Sequence, residues 1–256
     1  MMGALAQAFP GRVPAACDGQ SNYIYVGGTD PRMKRKYVSM LGVPTSGGMG
    51  GRPGKDGIDV ISSDASNIVR YPVEAFESDT PFRVRYLRLW QDSGGPGLYR
   101  GGLGYHAEIE LLRGEAVMTH RRDRHDFAPW GLDGGAAAPC CRTTLHRSQG
   151  PSADVPSKFV TQIAAGDRIE IFTTGGGGYG DPLDRPMEKV LEDVQSGRIS
   201  TGSAGSEYGV IIAEGRILSD ESEAARARLR QGRETSGFRF DRGPDYARRL
   251  GLPRYE

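Results

Sequence analysis

The stretch that decides the fold is residues 82–111, which read FRVRYLRLWQDSGGPGLYRGGLGYHAEIEL. Both ends alternate apolar and polar residues with a period of two, which is typical of half-buried β-strands. The alternation changes phase at Tyr86–Leu87. This predicts a β-bulge there, because a one-residue shift turns side chains to the other face of a sheet. We therefore expect strands at Phe82–Trp90 and Tyr105–Leu111, paired around the loop that joins them.

Other segments with β-strand patterning lie on both sides of this pair. Asp167–Thr173 alternates clearly, and weaker candidates are Asn22–Gly28, Ala116–Thr119 and Cys141–His146. The segment Tyr208–Leu218 predicts a hairpin that turns at Glu214–Gly215. We expect these strands to form the core of the fold.

Helical patterning comes late in the chain. Met187, Val190, Leu191 and Val194 have the spacing of one helix face. They predict a helix that begins near Asp184–Pro186 and ends at Gly197. Ser219 is expected to cap an arginine-rich helix that runs to about Arg230.

The order of these elements indicates the fold class. Strands that come before helices favour an α+β fold, with a strand-rich core, glycine-rich loops and helices towards the C-terminus. We divide the chain into a main region, residues 1–218, and an arginine-rich helix with a polar tail, residues 219–256. The opening, residues 1–16, reads like the middle of a larger element.

Charge and cysteine content limit the classes of function. The chain has 256 residues, with 33 Lys and Arg against 32 Asp and Glu, and its basic residues are dispersed. Neither nucleic acid nor a membrane surface is therefore an expected partner. No apolar run approaches the ~20 residues of a membrane span. Three cysteines cannot form an even disulfide framework, which favours a cytoplasmic location.

Glycine is the most informative residue type, with 38 copies beside 16 prolines. The glycines cluster between patterned segments, for example in the loop Gly42–Gly57. Clustered glycines indicate loops that need positive φ or a close approach of two backbones. Several such loops in one chain indicate a binding site or an interface.

The loop Asp92–Gly104, DSGGPGLYRGGLG, is the best candidate for chemistry. Ser93, Gly94 and Gly95 would present backbone N–H groups as a small anion nest. Arg100 would add a guanidinium suited to a carboxylate or phosphate. We predict that Asp92, Ser93, Gly94, Gly95 and Arg100 bind substrate, and that Gly94 or Gly95 has positive φ. The alternative is an Asp92–Arg100 ion pair that only holds the loop together.

The segment Gly175–Gly180, GGGGYG, formally matches the dinucleotide motif G-x-G-x-x-G. That motif requires a helix to begin directly after it, whereas here Asp181–Pro182 intervenes. A structural turn is therefore favoured over a nucleotide site. The backbone of Gly175, Gly176, Gly177 and Gly178 remains a candidate loop site.

Metal-binding and nucleophilic motifs are weak. His120 and His125 lie in THRRDRHD, where the neighbouring arginines oppose a second cation. The pair Cys140–Cys141 is more typical of buried small residues than of ligands. We expect no metal ligands in this chain, and the catalytic residues stay unassigned.

Several motifs occur in a recognisable order. They are GGMGGRPGKDG, YPVEAFES, QDSGGPGLYRGGLG, PWGLDGG, TTGGGGYGDPLDRP, VLEDVQSGRIS and EYGVII. From about Ala4 to Ile212, the sequence resembles the C-terminal portion of the hydantoinase B/oxoprolinase family. The resemblance implies ATP-dependent opening of a cyclic amide through phosphorylation of the amide oxygen. It also implies a hydantoinase A-type partner that binds ATP.

Members of that family are longer, and their metal-binding motifs lie in an N-terminal half with no counterpart here. The resemblance therefore implies either a natural split subunit or a shortened gene product, and a second partner, a chain that supplies this N-terminal half. ATP and a divalent metal are expected on the partner chains, and none is expected on this one.

Three functions stay open from the sequence. The first is a subunit or fragment of a cyclic-amide hydrolase that positions substrate or partner, inactive by itself. The second is a subunit of an ATP-dependent ketone carboxylase, since relatives of the family act on acetone or acetophenone. The third is a non-catalytic structural module of such a complex.

Overall fold

A computed structural model of the chain describes residues 2–19, 23–41, 43–44, 46–62, 68–69, 71–231, 240–243 and 246. The predicted polar tail after Gly232 lies largely outside these residues, as do Asn22 and Gly42. The described residues form five α-helices and thirteen strands, which confirms the α+β class.

The elements follow one another along the chain as follows: α1 Met2–Ala8, β1 Tyr23–Asp30, β2 Arg35–Met40, α2 Val73–Asp79, β3 Phe82–Leu89, β4 Tyr105–Leu111, β5 Glu115–Arg121, β6 Gly131–Leu132, β7 Arg142–His146, β8 Ala153–Asp154, β9 Lys158–Ala164, β10 Arg168–Phe172, α3 Met187–Gln195, α4 Thr201–Tyr208, β11 Ile212–Ala213, β12 Arg216–Ile217, α5 Ser219–Arg230 and β13 Phe240–Asp241. A short 3-10 helix, Pro182–Asp184, precedes α3.

Two antiparallel sheets pack face to face. The four-stranded sheet has the order β2-β1-β5-β9, and the five-stranded sheet has the order β3-β4-β10-β7-β8. One hydrophobic core lies between them and takes side chains from both, such as Ile24 and Met118 from the first and Ile109 and Ile171 from the second. The core explains the period-two patterning, because alternate residues of each strand point into it.

The strand pair predicted around residues 91–104 is confirmed. Strands β3 and β4 are antiparallel, with Phe82 opposite Leu111 and Leu89 opposite Tyr105. The register shifts between Val84 and Tyr86, one residue before the predicted bulge. Strand β4 is not half-buried as predicted, because its polar face is also largely covered.

In the first 164 residues the sequence missed the strands β2 and β9, the two-residue strands β6 and β8, and two helices. Strand β2 carries consecutive polar and basic residues, and β9 is largely exposed on both faces, so neither shows clean alternation. The helices α1 and α2 have only seven residues each. Such short helices give little periodic signal.

The C-terminal helical unit, residues 182–231, packs around its own small core. Val190, Ile199, Ala204, Tyr208 and Val210 are its buried members. The hairpin β11–β12 turns at Glu214–Gly215 as predicted. Helix α5 begins at Ser219, with Leu218 as its cap residue, so the prediction that Ser219 caps this helix is wrong.

Helix α5 is hydrogen-bonded to residues that precede it in the chain. Arg226 donates to the carbonyl oxygens of Tyr208 and Arg185, and Ser222 accepts from the backbone of Ile211 at 2.9 Å. The division of the chain after residue 218 stays a prediction. None of the helices in the described ranges has the length and apolar character that a membrane span needs.

Candidate functional site

The glycine-rich loops come together in one tightly packed bundle of backbone, which we call the glycine bundle. Its central segment is Gly175–Gly178, surrounded by 47–51, 93–97, 101–104 and 130–136. A Cβ atom on any of the four central glycines would overlap a backbone carbonyl oxygen. The oxygens are those of Ser93, Met49, Trp130 and Pro96 respectively. Close approach of backbones therefore requires glycine here.

Hydrogen bonds also hold the central segment on several sides. The backbone N–H groups of Gly175, Gly176, Gly177 and Gly178 donate to the carbonyls of Ser93, Gly102, Ala16 and Ala136, at 2.8–3.0 Å. All four donors are thus used within the chain, which argues against a phosphate on this segment. A ligand-binding role of these glycines stays a prediction.

The loop Asp92–Gly104 is part of the same bundle. The N–H groups of Ser93 and Gly95 donate to Trp90 at 3.3 Å and to Gly176 at 2.8 Å. These two groups therefore do not form the exposed anion nest that the sequence predicted. Neither Gly94 nor Gly95 has positive φ, so that prediction is also wrong. Both positions need glycine because a Cβ would overlap the carbonyl oxygen of Gly101 or of Ala136.

Arg100 lies inside the protein, with 3% of its surface exposed. Its guanidinium is 3.6 Å from Asp59 and 3.6 Å from Asp193, and it also donates to the Gly101 carbonyl. The alternative, an Asp92–Arg100 ion pair, is not formed. Arg100 is enclosed by these groups of the chain itself, and its binding of a substrate stays a prediction.

Asp92 connects the loop to helix α4. It adopts φ 62°, its N–H donates to Arg198 at 3.0 Å, and its Oδ1 accepts from the backbone of Ser200 at 2.8 Å. Ser200 in turn caps α4, because its hydroxyl accepts from the N–H of Ser203 at 3.0 Å. The carboxylate is thereby held at the entrance of a cleft beside this helix.

The cleft has a volume of about 700 Å³ and two chemically different walls. One wall consists of small apolar residues: Pro96, Ala128, Ala136, Ala137, Ala138 and Pro139. The other wall carries hydroxyl and carboxylate groups: Asp92, Ser200, Ser203, Ser206 and Glu207. Of the predicted substrate-binding residues, Asp92 and Gly94 line the cleft, whereas Arg100 does not.

The charge of the cleft is acidic. Among the described residues that line it, four are acidic and one is basic: Asp92, Asp126, Glu207 and Asp241, and Arg242. Arg242 donates to the hydroxyl of Tyr246 at the same edge. An acidic lining disfavours a polyanion and suits a neutral or hydrogen-bond-donating ligand.

The sequence missed the wall formed by α4. Its residues, TGSAGSEY, include two glycines and two more serines, and they have low helix propensity. A signal was nevertheless present, because Ser200, Ser203 and Ser206 are three residues apart and share one helix face.

His120 is buried, and His125 beside it is half-buried. Burial, and then the Arg122 guanidinium, lowers the pKa of His120 to about 3 and that of His125 to about 4. Their rings meet edge to face at 5.4 Å. Within the described residues, no three His, Cys, Asp or Glu side chains are grouped to hold a metal ion. The side chains described here therefore do not fit a metal, and no step of the proposals below involves one bound by this chain.

The amino-acid sequence is similar to those of known proteins. The sequence profile described as Hydantoinase B/oxoprolinase matches residues 1–182. A protein of Pseudomonas sp. (strain NS671) assigned as a B-type D-/L-hydantoinase subunit is 33% identical over 86% of this chain and 37% of its own length. The beta subunit of the caprolactamase of Pseudomonas jessenii is 31% identical over 88% of this chain and 40% of its own length.

Solved structures show the same fold. The ATP-dependent caprolactamase from Pseudomonas jessenii superposes with a TM-score of 0.76 and 30% identity, covering 88% of this chain and 40% of that one. A nucleotide-free acetone carboxylase superposes with a TM-score of 0.74 over 93% of this chain and 36% of that one, at 20% identity. This chain thus spans well under half the length of the relatives that it matches. It belongs to the hydantoinase B/oxoprolinase family.

Proposed function

We propose that this chain is a subunit or fragment of an ATP-dependent cyclic-amide hydrolase of the hydantoinase/5-oxoprolinase type. In this role it positions substrate or partner and does not itself activate ATP. The family membership and the relatives named as hydantoinase and caprolactamase subunits support the reaction class.

The observation that carries the proposal is the cleft with two walls. A cyclic amide has an apolar ring edge and a polar edge with N–H and C=O groups. The ring methylenes would pack on the three alanines and the proline at residues 136–139, while the amide would hydrogen-bond to Asp92 and the serines beside α4. Small-molecule sites commonly combine apolar walls with a few placed polar groups.

The acidic lining of the cleft supports a separate site for ATP. Carboxylates would repel the phosphates of a nucleotide, and the amides of Gly175–Gly178 are already bonded within the chain. We therefore assign ATP to a hydantoinase A-type subunit. A divalent metal would belong to the chain that supplies the N-terminal half of the hydantoinase B domain.

The second candidate is a ketone carboxylase subunit. The acetone carboxylase alpha subunit of Xanthobacter autotrophicus is 28% identical over 63% of this chain, less similar than the caprolactamase beta subunit. A non-catalytic module is the third reading, and the tightly bonded glycine bundle is the feature that favours it.

A phosphate-release assay tests the proposal. The chain alone, with ATP and 5-oxoproline, hydantoin or caprolactam, is expected to release no phosphate. Substrate-stimulated release should appear once a hydantoinase A-type subunit and the N-terminal-half chain are added. Stimulated turnover by this chain alone would show that it activates ATP. Acetone-dependent turnover of the mixture, without amide opening, would favour the carboxylase.

A charge substitution tests the cleft within that assembly. Asp92→Asn removes the negative charge but keeps an oxygen that can accept the hydrogen bond from the backbone of Ser200. Asparagine also tolerates the positive φ of this position. We expect kcat/KM to fall about tenfold or more, which equals about 1.4 kcal/mol, with an unchanged melting temperature. Asp133→Asn is the matched control, because Asp133 also has positive φ but lies outside the cleft. Equal activities of the two variants would rule out Asp92 as a substrate-binding residue.

A further inference from the structure

Residues 241–243 and Tyr246 form a third side of the cleft, which we call the tyrosine side. Strand β13, which leads into it, pairs with β6. Asp241 then accepts from the backbone N–H of Ala137 at 2.8 Å, and a Cβ on Gly243 would lie 3.7 Å from that of Ala137. The tyrosine side is therefore held against the apolar wall of the cleft.

The Tyr246 hydroxyl has one hydrogen bond made and one unmade. It accepts from Arg242, whose guanidinium also lies over the Tyr246 ring at 4.7 Å and over the Phe240 ring at 5.7 Å. The Tyr246 ring meets that of Phe127 at 6.1 Å. Among the residues that the structure describes, no group accepts the hydrogen of this hydroxyl. A donor that is itself bonded to a cation is stronger than a neutral one.

An acceptor lies on the wall formed by α4. Asp92 accepts from the backbone of Ser200 through Oδ1, and no other donor from the described part of the chain reaches its carboxylate. A carboxylate accepts hydrogen bonds and does not donate them. The cleft thus has an acceptor on the α4 wall and a polarised donor on the tyrosine side.

A cyclic amide matches this pair of groups. Its N–H and C=O lie side by side at one edge of the ring, and the N–H needs an acceptor while the C=O needs a donor. The serines beside α4 can also donate, but none of their described hydroxyls contacts a cation. Tyr246 is therefore the stronger donor for the C=O.

We propose that the Tyr246 hydroxyl donates to the amide oxygen of the cyclic amide while Asp92 accepts from its N–H. Arg242 is then a positioning residue, which holds and polarises the hydroxyl. The inference rests on the proposed function, because it places that substrate in the cleft. It also fixes the orientation of the ring, with the carbonyl towards the tyrosine side and the N–H towards α4.

Equilibrium binding to the purified chain, without ATP, tests this orientation. The probes are ε-caprolactam and ε-thiocaprolactam, which differ only in the acceptor atom, and ligand-observed NMR gives the dissociation constant of each. The wild-type chain is expected to bind the lactam more tightly than the thiolactam, because sulfur is the weaker acceptor.

Tyr246→Phe removes the donor but keeps the ring and its contacts with Arg242 and Phe127. It should weaken lactam binding about fivefold or more, as expected for one lost hydrogen bond, and leave thiolactam binding nearly unchanged. Tyr25→Phe is the control, because Tyr25 lies on β1 and does not line the cleft. It should change neither dissociation constant.

A double-variant cycle tests the role of Arg242. Arg242→Gln should weaken lactam binding, but its addition to Tyr246→Phe should cause little further loss, because the guanidinium acts through the hydroxyl. The melting temperature should not change in either variant, since Arg242 is exposed and the Tyr246 ring is retained. Additive losses would overturn the assignment of Arg242 as a positioning residue.

Three results would overturn the proposal for Tyr246. They are an unchanged lactam affinity in Tyr246→Phe, equal weakening of both probes, and no lactam binding by the wild-type chain. Binding needs neither ATP nor partner chains, so this inference and the proposed function can fail separately. Lactam-dependent phosphate release by the assembly, together with unchanged lactam binding in Tyr246→Phe, would support the function and refute the role of Tyr246.

Discussion

Asp18 is a fully buried carboxyl group with half of its hydrogen-bonding capacity unused. Its Oδ2 accepts from the backbone of Gly47 at 2.6 Å, while its Oδ1 has no partner. Burial raises the pKa of Asp18 to about 7, although backbone donors and arginines partly oppose that shift. The folded state therefore holds this proton more tightly than the unfolded state does.

The raised pKa predicts how stability depends on pH. The stabilising contribution of protonated Asp18 is complete below the unfolded pKa near 4, and it is lost as pH rises to about 7. Each pH unit in that window costs at most about 1.4 kcal/mol. Asp18→Asn stays neutral, so its free energy of unfolding should fall less between pH 5 and pH 8 than that of the wild type. Urea unfolding at both pH values checks this, and parallel pH profiles of the two proteins would contradict it.

A glycine of the bundle should not tolerate a side chain. In Gly178→Ala the new Cβ would overlap the carbonyl oxygen of Pro96, so the backbone must move. We expect a loss of about 2 kcal/mol or more in the free energy of unfolding, as for other overpacked sites.

The matched control is Gly202→Ala in α4, where the nearest heavy atom to the added Cβ is Ser200 Oγ at 3.6 Å. Alanine there should leave stability unchanged or raise it by up to about 1 kcal/mol. Denaturant midpoints of the two variants measure the difference. Equal midpoints would show that the bundle is not closely packed.

At the scale of elements, helix α3 presents a narrower buried face than its sequence predicted. Val190 is fully buried against Ile199, Ala204 and Tyr208, whereas Leu191 is half-buried and lies outside that cluster. The four-residue apolar stripe therefore predicted the helix correctly, but it overstated the burial of the Leu191 side chain. The reason is that α4 and the hairpin β11–β12 each pack on a limited arc of this helix.

This difference can be measured by two substitutions on one helix. Val190→Ala should lower the free energy of unfolding by about 2 kcal/mol, through lost burial and the cavity that remains. Leu191→Ala should cost under about 1 kcal/mol, since much of that side chain stays in water. Chemical denaturation decides between them, and a larger loss for Leu191→Ala would place the helix in a different orientation.

At the scale of the whole molecule, a buried ionic cluster joins the C-terminal helical unit to the glycine-rich loops. Arg185 binds both carboxylate oxygens of Asp56, at 2.7 and 2.8 Å, and also Asp193 of α3 at 2.7 Å. Arg100 lies between Asp193 and Asp59 in the same cluster. Segments about 130 residues apart in sequence are thus held by charge pairing in the interior.

Breaking this cluster should be costly. Arg185→Ala leaves Asp56 and Asp193 without their main cation, and removing one partner of a buried pair typically costs about 3–5 kcal/mol. Arg230→Ala is the control, because its pair with Asp184 is exposed and should contribute under about 1 kcal/mol. Urea unfolding of both variants checks this. A small loss for Arg185→Ala would show that the helical unit is held mainly by apolar packing.

The amino-acid sequence by itself determined most of the longer strands, the helices α3 and α5, the positions of the glycine-rich loops, and the family. Period-two alternation in β4 and β10 is a local property, set by which face of the strand avoids water, so it can be read from a few neighbouring residues. The hairpin at Glu214–Gly215 is local in the same sense. The succession of motifs from about Ala4 to Ile212 indicated the family.

Only the tertiary structure decided where the candidate residues lie and what they contact. Arg100 has ideal chemistry for an anion in sequence, yet distant aspartates at 59 and 193 enclose it. Asp92 does not pair with Arg100 and instead accepts a hydrogen bond at the start of α4, so that it lines the cleft together with serines that lie more than a hundred residues later in the chain. Gly94 and Gly95 need glycine because the carbonyl oxygens of Gly101 and Ala136 in the packed loops lie against them, whereas the sequence predicted positive φ. These outcomes depend on pairings between segments far apart along the chain, and such pairings leave no periodic signal in the residues themselves.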